Sequence, residues 1–323
     1  PAVDRPSQSV QFLSCMASYT YKDQPNCLMC GRSSGHNPVL GLRLNQRQGW
    51  KPRLKAGHAV TVRRCRQCGL TYPDPLPIPG SIEDHYAIPH ETYWTDDYFL
   101  ISKNYLEEEL RHAQLLLQTQ SASSVSPLKA LDIGAAIGKG MRAMAQAGFD
   151  AWGLEPSPTF RQKAIERLGI PEDRLQLAAV EDAFWPANQF DYITFGAVLE
   201  HLYDPALCLQ RALHWLRPGG IIHAEVPSSN YLLHRLLNGY YRLLGTNFVA
   251  NLSPMHPPYH LYEFTPKCFR VLGQKLGFDL EQHSWHPASG RFVPAAIYPL
   301  FYRLMRATNS GMQLTVWLRK PGT

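Results

Sequence analysis

Two short motifs have residue types and spacing that could do chemistry. The first is a matched pair of C-x2-C-G units, "CLMCG" with Cys27 and Cys30, and "CRQCG" with Cys65 and Cys68. In such a unit both thiolates face one ion, and the following glycine (Gly31, Gly69) has the backbone freedom to turn amide groups toward the sulfurs. Four thiolates close a tetrahedral Zn2+ site with no open position, so the metal is expected to be structural; ordinary reduced cysteines are the alternative. The two pairs are further apart than in a usual zinc ribbon. The stretches "PVLGLRL" and "HAVTVRRC" between them predict an inserted hairpin. Cys15, Cys208 and Cys268 fall outside the pattern and read as packing residues.

The second motif is "ALDIGAAIGKG", a buried strand that runs into a small-residue turn and then a helix. A dinucleotide fingerprint starting at Gly134 needs glycine at 136 and 139, where this chain has Ala136 and Lys139. A methyl group at 136 obstructs the approach of backbone to a pyrophosphate. A phosphate-binding P-loop needs Gly-Lys followed by Ser or Thr, and here Gly140 follows Lys139. Both phosphate readings fit poorly.

The surrounding elements set the frame for this turn. From Leu128 onward short apolar strands alternate with helical patterns: "LKALDIG", "DAWGLE", "LQLAAV", "FDYITFG" and "GGIIHAEVP", then "GFDLEQHSW" and "MQLTVWLRK". This alternation predicts an α/β fold, a Rossmann-like seven-stranded, mostly parallel sheet with a reversed last strand. Ser157-Pro158, Asp204-Pro205 and Thr265-Pro266 each place a capping side chain before a proline at the first helical position. Upstream, the periodicity predicts a helix over Asp96 to Gln120 with Leu106, Leu110, Ala113 and Leu117 on one face. The proline-dense "GLTYPDPLPIPG" reads as a linker. The expected organisation is a zinc-ribbon-like module and linker over 1–90, a connecting segment over 91–127, and the alternating domain over 128–323 with a lid insertion near 228–262.

The turn resembles motif I of the class I S-adenosylmethionine (SAM) dependent methyltransferases, whose usual form is an acidic residue followed by x-Gly-x-Gly-x-Gly. Asp132, Gly134 and Gly138 match, and Ala136 departs at the middle glycine. Further along, "GLEPS" resembles the end of the family's second strand, and "FDYITFGAVLEHLYDPALCLQRALHWLRPGG" its fourth strand, turn, helix start and bend. The segment "HLYEFTPKCFRVLGQKLGF" is similar to the stretch before the sixth strand, and the doubled knuckle resembles the zinc-binding extension of some members. The resemblance implies SAM as cosubstrate, bound around Asp132, Gly134, Ala135, Ala136 and Gly138, with Glu155 and Pro156 at the ribose. Val180, Glu181 and Asp182 are implied near adenine, and Phe195, Gly196 and Ala197 at the end of the fourth strand.

Methyl transfer to a hydroxyl usually needs a general base, and histidine suits neutral pH. His201 in "LEHLYDP", and His256 and His260 in "SPMHPPYHLYEF", are the candidates. Some quinone-biosynthesis methyltransferases hold a divalent metal with Glu-x-x-Glu-His. Here Ala197 replaces the first Glu ahead of Glu200 and His201, which argues against a catalytic ion. Tyr231, Leu232, Leu236, Tyr240 and Leu243 fall at helical spacing in the insertion, and a second apolar segment is "FVPAAIYPLFYRLMRAT". Either the two pack on each other or they border the acceptor, as an apolar pocket or as a surface that meets a lipid-like or carrier-bound substrate, with Tyr231, Tyr240, Tyr259 and Tyr262 as candidate substrate contacts.

Composition narrows the function classes. Net charge is +6 and spread along the chain, with only the Arg63 to Arg66 cluster concentrated, so nucleic acid is a weakly supported partner. No apolar run has the length of a membrane span, no secretory leader is legible, and a reducing cytoplasm is the expected compartment. The favoured reading is O-methylation of a small organic acceptor, apolar or carrier-bound: a secondary metabolite, sugar or lipid-like intermediate. The alternatives are an RNA or protein methyltransferase gripping its substrate with the zinc module, and a binding scaffold without turnover, to which Ala136 points.

Overall fold

The computed structural model describes residues 19–43, 60–80, 96–118, 126–252, 259–287 and 293–322. In chain order the strands are β1 (Tyr19–Lys22), β2 (Val39–Arg43), β3 (Thr61–Arg64), β4 (Thr71–Asp74) and β5 (Leu76–Pro79). The helices α1 (Asp96–Phe99) and α2 (Glu107–Gln118) follow. The alternating part runs β6 (Lys129–Ile133), α3 (Lys139–Gln146), β7 (Asp150–Glu155), α4 (Pro158–Leu168), β8 (Leu175–Leu177), β9 (Phe190–Gly196), α5 (Pro205–Trp215) and β10 (Leu216–Pro227). Then come α6 (Leu232–Leu243), β11 (Phe248–Val249), α7 (Pro266–Leu276), β12 (Asp279–His286), α8 (Tyr298–Ala307) and β13 (Gln313–Arg319).

The seven-stranded sheet has the order β12-β13-β10-β9-β6-β7-β8, and β13 runs antiparallel to both of its neighbours. Strands β10, β9, β6, β7 and β8 are mutually parallel, as the alternation predicted. Central β6 is apolar and buried from Ala130 to Ile133 apart from the acid at Asp132, as a strand covered on both faces should be. The three predicted helix starts all form: Ser157 accepts from Phe160 N–H, Asp204 from Leu207 N–H and Thr265 from Cys268 N–H. Each such cap stabilises its helix by about 1 kcal/mol.

Two expectations are corrected. The single helix over Asp96 to Gln120 is broken, because Leu106 has φ 57, a left-handed conformation no helix interior accepts. Phe99 packs with Ile137 and Phe160, whereas Leu110, Ala113, Leu116 and Leu117 pack with Tyr192 and Trp317, so the two pieces belong to different hydrophobic clusters. The proline-rich stretch is no free linker: it forms β4 and β5, with Tyr72 and Leu76 buried. Its prolines are tolerated because β4 is an edge strand and β5 pairs with β1 in a two-stranded ribbon.

The hairpin expected between the cysteine pairs is β2–β3, extended by β4 on one side. On the other side β11, from the insertion after β10, adds in parallel to β2. The cysteine knuckles and the large sheet share one hydrophobic core that contains Cys27, Cys68, Phe264 and Phe269. Fully buried Arg43 joins them further: its guanidinium donates to Leu252 O at 2.6 Å and lies 5.2 Å from the Tyr259 ring. Burial pulls the Arg43 pKa down to about 10.

Candidate active site

In the sheet β6 lies between β7 and β9, so successive loops part at the C-terminal ends of these strands. The opening is a cleft of about 270 Å3. Gly134 and Ala136 line it after β6, Glu155 and Pro156 at the end of β7, Val180 and Glu181 after β8, and Gly196, Ala197 and His201 at and after the end of β9. Nine of the residues named from sequence therefore converge on it.

Glu155 is the best-defined group in the cleft. Its carboxylate accepts Ala136 N–H and Ser157 N–H, each at 2.8 Å. Burial outweighs these two donors and pushes its pKa up to about 7. Asp132 is also raised to about 7, by burial first and the Glu155 charge second. Ala136 has φ 49, the left-handed conformation that a glycine adopts without strain.

Asp132, Ala135, Gly138, Asp182 and Phe195 do not line the cleft. Asp132 lies under the start of α3, where a side chain at Gly140 would run into its carboxylate. Gly138 (φ 81) caps α3, and a Cβ there would sit 2.5 Å from Ile170 Cγ1. These two residues and buried Ala135 shape the turn from behind.

The other wall comes from the turn after β9. His201 Nδ1 is 2.9 Å from Tyr259 O; a carbonyl only accepts, so Nδ1 carries the proton and Nε2 is the basic nitrogen of the neutral ring. The backbone bond from Leu261 N–H to Glu200 O, 2.7 Å, brings the later loop to this turn. It places the His260 ring 4.9 Å from that of His201. Glu200 Oε1 is 3.8 Å from His260 Nε2, and burial raises the Glu200 pKa to about 8. One ligand atom each from Glu200, His201 and His260 lie within 4.8 Å of one another, so the three could hold an ion despite Ala197. His256 lies outside the described residues.

None of the four candidate tyrosines lines the cleft. Tyr231 is buried where α6 meets α8, Tyr240 points outward from α6, Tyr259 packs on Tyr19 and Arg43, and the Tyr262 hydroxyl donates to Tyr203 O. The apolar wall is instead Tyr98, Phe160, Leu202 and Tyr203. Tyr203 lies in the quoted "LEHLYDP" and could have been named; Tyr98 arrives from α1, outside the alternating pattern, and carried no signal.

Residues 104–283 match the family model described as Methyltransferase domain, more than half of the 323 residues. The chain belongs to this family. It is a SAM-dependent methyltransferase. It is similar to the ubiquinone biosynthesis O-methyltransferase of Aeromonas salmonicida, 25% identical over 181 residues that cover 54% of this chain and 74% of that protein. The corresponding protein of Methylococcus capsulatus is 26% identical over 180 residues, covering 54% and 73%. A solved S-adenosylmethionine dependent methyltransferase from Mesorhizobium loti is 18% identical, with 66% of this chain and 97% of that chain covered at a TM-score of 0.44.

In this methyltransferase the four cysteines of the doubled motif are buried together. Cys27 Sγ lies 3.5 Å from Cys68 Sγ, and Cys30 Sγ 3.5 Å from Cys65 Sγ, with all four within 4.8 Å of one another. Zn–S bonds of about 2.3 Å at tetrahedral angles place sulfurs roughly 3.8 Å apart, so the spread suits one ion. Backbone N–H groups of Gln67 and Cys68 point at the Cys65 sulfur, that of Cys30 at Cys27, Arg32 at Cys30 and Leu70 at Cys68. Gly31 (φ 73) and Gly69 (φ 81) make these turns possible. Helix α7 backs the site: Thr265 Oγ1 donates to Cys68 O at 2.6 Å, and Lys275 Nζ donates to Cys30 O.

Proposed function

We propose that this methyltransferase binds SAM in the cleft beyond β6, β7 and β9, and that the methyl group goes to a hydroxyl of a small organic acceptor. The observation that carries this reading is Glu155, a buried carboxylate at the end of β7, fixed by two backbone donors and facing the cleft. A carboxylate so placed accepts ribose hydroxyls. Gly134 and Ala136 leave room for the methionine part, and Val180 and Glu181 border the adenine side. When bound, SAM supplies a methyl group already activated by a sulfonium.

His201 acts as the general base. The C–S bond breaks as the O–C bond forms, and the hydroxyl proton passes to His201 Nε2, the nitrogen left basic by the bond from Nδ1–H to Tyr259 O. Tyr98, Phe160, Leu202 and Tyr203 exclude water from the reacting groups. An oxygen acceptor is favoured because both bacterial relatives described above are O-methyltransferases. The four cysteines hold a structural Zn2+, supported by the sulfur spacing and the backbone donors aimed at the thiolates.

Calorimetric titration with SAM and S-adenosylhomocysteine tests the reading. Micromolar binding to the wild type that is lost in Glu155→Ala supports it; no binding to the wild type overturns it in favour of a scaffold.

A second reading, methylation of RNA, rests on a separate groove of about 540 Å3 between the second knuckle and α7. Arg64, Arg66, Lys267, Arg270 and Trp285 line it, and among the described residues no carboxylate does. Retention of single-stranded RNA, weakened by Arg66→Gln with Arg270→Gln, is the result that would favour this reading.

A further inference from the structure

Helices α6 and α8 have apolar stripes that are exposed among the described residues. On α6, Leu236, Tyr240, Leu243 and Leu244 follow one helical face, and Leu243 is 88% exposed. On α8, Ile297, just before the helix, Leu300 and Leu304 do the same, and Leu300 is 71% exposed. The two helices meet through other residues: Tyr231, Leu232, Leu233, Phe301 and Met305 form a small cluster, and Leu232 N–H donates to Ser310 O at 3.1 Å. Their mutual packing, one of the two arrangements expected from sequence, thus uses only the inner faces. Soluble proteins rarely leave adjoining leucine stripes open without a use for them.

Charge says what covers them. Exposed Arg235 and Arg242, seven residues apart, run along one edge of the α6 stripe; exposed Arg303 borders the stripe of α8, and exposed Arg306, one turn further on, lies over the Tyr302 ring. The sequence has no Asp or Glu between Glu225 and Glu263, and none after Glu281. Both helices therefore carry apolar side chains and arginines with no acid among them. A second copy of the chain, docked by two-fold symmetry, would set these arginines against themselves. An anionic lipid surface matches both features: leucines enter the headgroup boundary while arginines remain at the phosphates. Among the described residues no helix is long and apolar enough to cross a membrane, so the contact is one of lying on the surface.

We propose that α6 and α8 together form an interfacial docking face for anionic membrane lipids. The proposal is independent of how SAM or the acceptor binds. Co-sedimentation of the full chain with vesicles tests it, using phosphatidylcholine alone and phosphatidylcholine mixed with phosphatidylglycerol, at low and high salt. Binding only to the mixed vesicles, and weakened by salt, is expected. Arg242→Gln and Arg303→Gln should each lower affinity about fivefold. Leu243→Gln with Leu300→Gln should abolish binding while the thermal unfolding midpoint stays at the wild-type value, which separates lost docking from lost folding. No sedimentation with mixed vesicles, equal binding to neutral ones, or unchanged binding of the leucine double variant each overturns the proposal. So does dimerisation of the wild type that the leucine variant removes, since the face would then belong to a second copy.

Discussion

The Glu155 carboxylate accepts the backbone N–H of Ala136 at 2.8 Å, tying the end of β7 to the turn that follows β6. Two features meet in this bond: the acid that faces the cleft and the alanine that stands where the methyltransferase motif has glycine. Ala136 keeps the same turn by accepting φ 49. The departure read from sequence is therefore a strained residue in an intact turn.

Removing the strain should stabilise the protein. A non-glycine residue in the left-handed region costs roughly 1 kcal/mol or more, and Ala136→Gly removes it with only a methyl group lost. The expected outcome is a midpoint raised by about 2–4 °C in thermal unfolding, with S-adenosylhomocysteine affinity equal to or better than that of the wild type. A lowered midpoint would mean that the alanine methyl contributes more by packing than its backbone costs.

The raised pKa values of Glu155 and Asp132 give a pH signature. Each folded value lies above its unfolded one, so the contribution to stability of the ligand-free protein is fully present below about pH 4 and is lost as pH rises through about 7. Ligand binding follows the opposite slope, since Glu155 must be ionised to accept ribose hydroxyls. S-adenosylhomocysteine affinity should climb as pH rises toward and through 7, then level off. In Glu155→Gln the climb should shrink and the plateau should fall by about tenfold or more, the loss of a charged acceptor. Calorimetry across pH checks both; a wild-type profile as flat as that of the variant would remove Glu155 from the ligand.

The base is separable from SAM binding. His201→Asn keeps a side-chain donor for Tyr259 O and removes the basic nitrogen. Turnover should fall by about 100-fold or more, the usual share of general base catalysis, while S-adenosylhomocysteine affinity changes little. If turnover falls no further than in a His260→Asn control, His201 is a positioning residue and not the base.

What could be read from the sequence was local. The helix starts at Ser157, Asp204 and Thr265, the β2–β3 hairpin and the sheet with its reversed β13 follow from spacing within a few residues, and all formed. What was missed depends on distant partners. The prolines of β4 and β5 are tolerated because β4 lies at a sheet edge and β5 pairs only with β1, far earlier in the sequence. Leu106 breaks a helix because Phe99 has its own place in a different cluster. Tyr231 and Tyr240 were read as substrate contacts from helical spacing, which shows that a helix has an apolar face but not which way that face turns. On α6 it turns outward.

The cysteine cluster should matter more to the acceptor wall than to the SAM side. Its module touches the segment that carries His260: Thr71 and Glu263 exchange two backbone bonds, Tyr19 packs on Tyr259 at 5.9 Å, and Arg43 stands over the same ring. That segment in turn holds His201 through Tyr259 O. One zinc per chain is expected by elemental analysis. Cys65→Ser should lower both the zinc content and the unfolding midpoint, because the knuckles share the main core and a structural zinc contributes directly to folding. At temperatures where the variant stays folded, methyl transfer should fall by a larger factor than S-adenosylhomocysteine affinity, since Glu155 and its donors lie on β7, α4 and the β6 turn, away from the knuckles. Equal losses in both would show that the module supports the fold as a whole and has no particular hold on the acceptor wall.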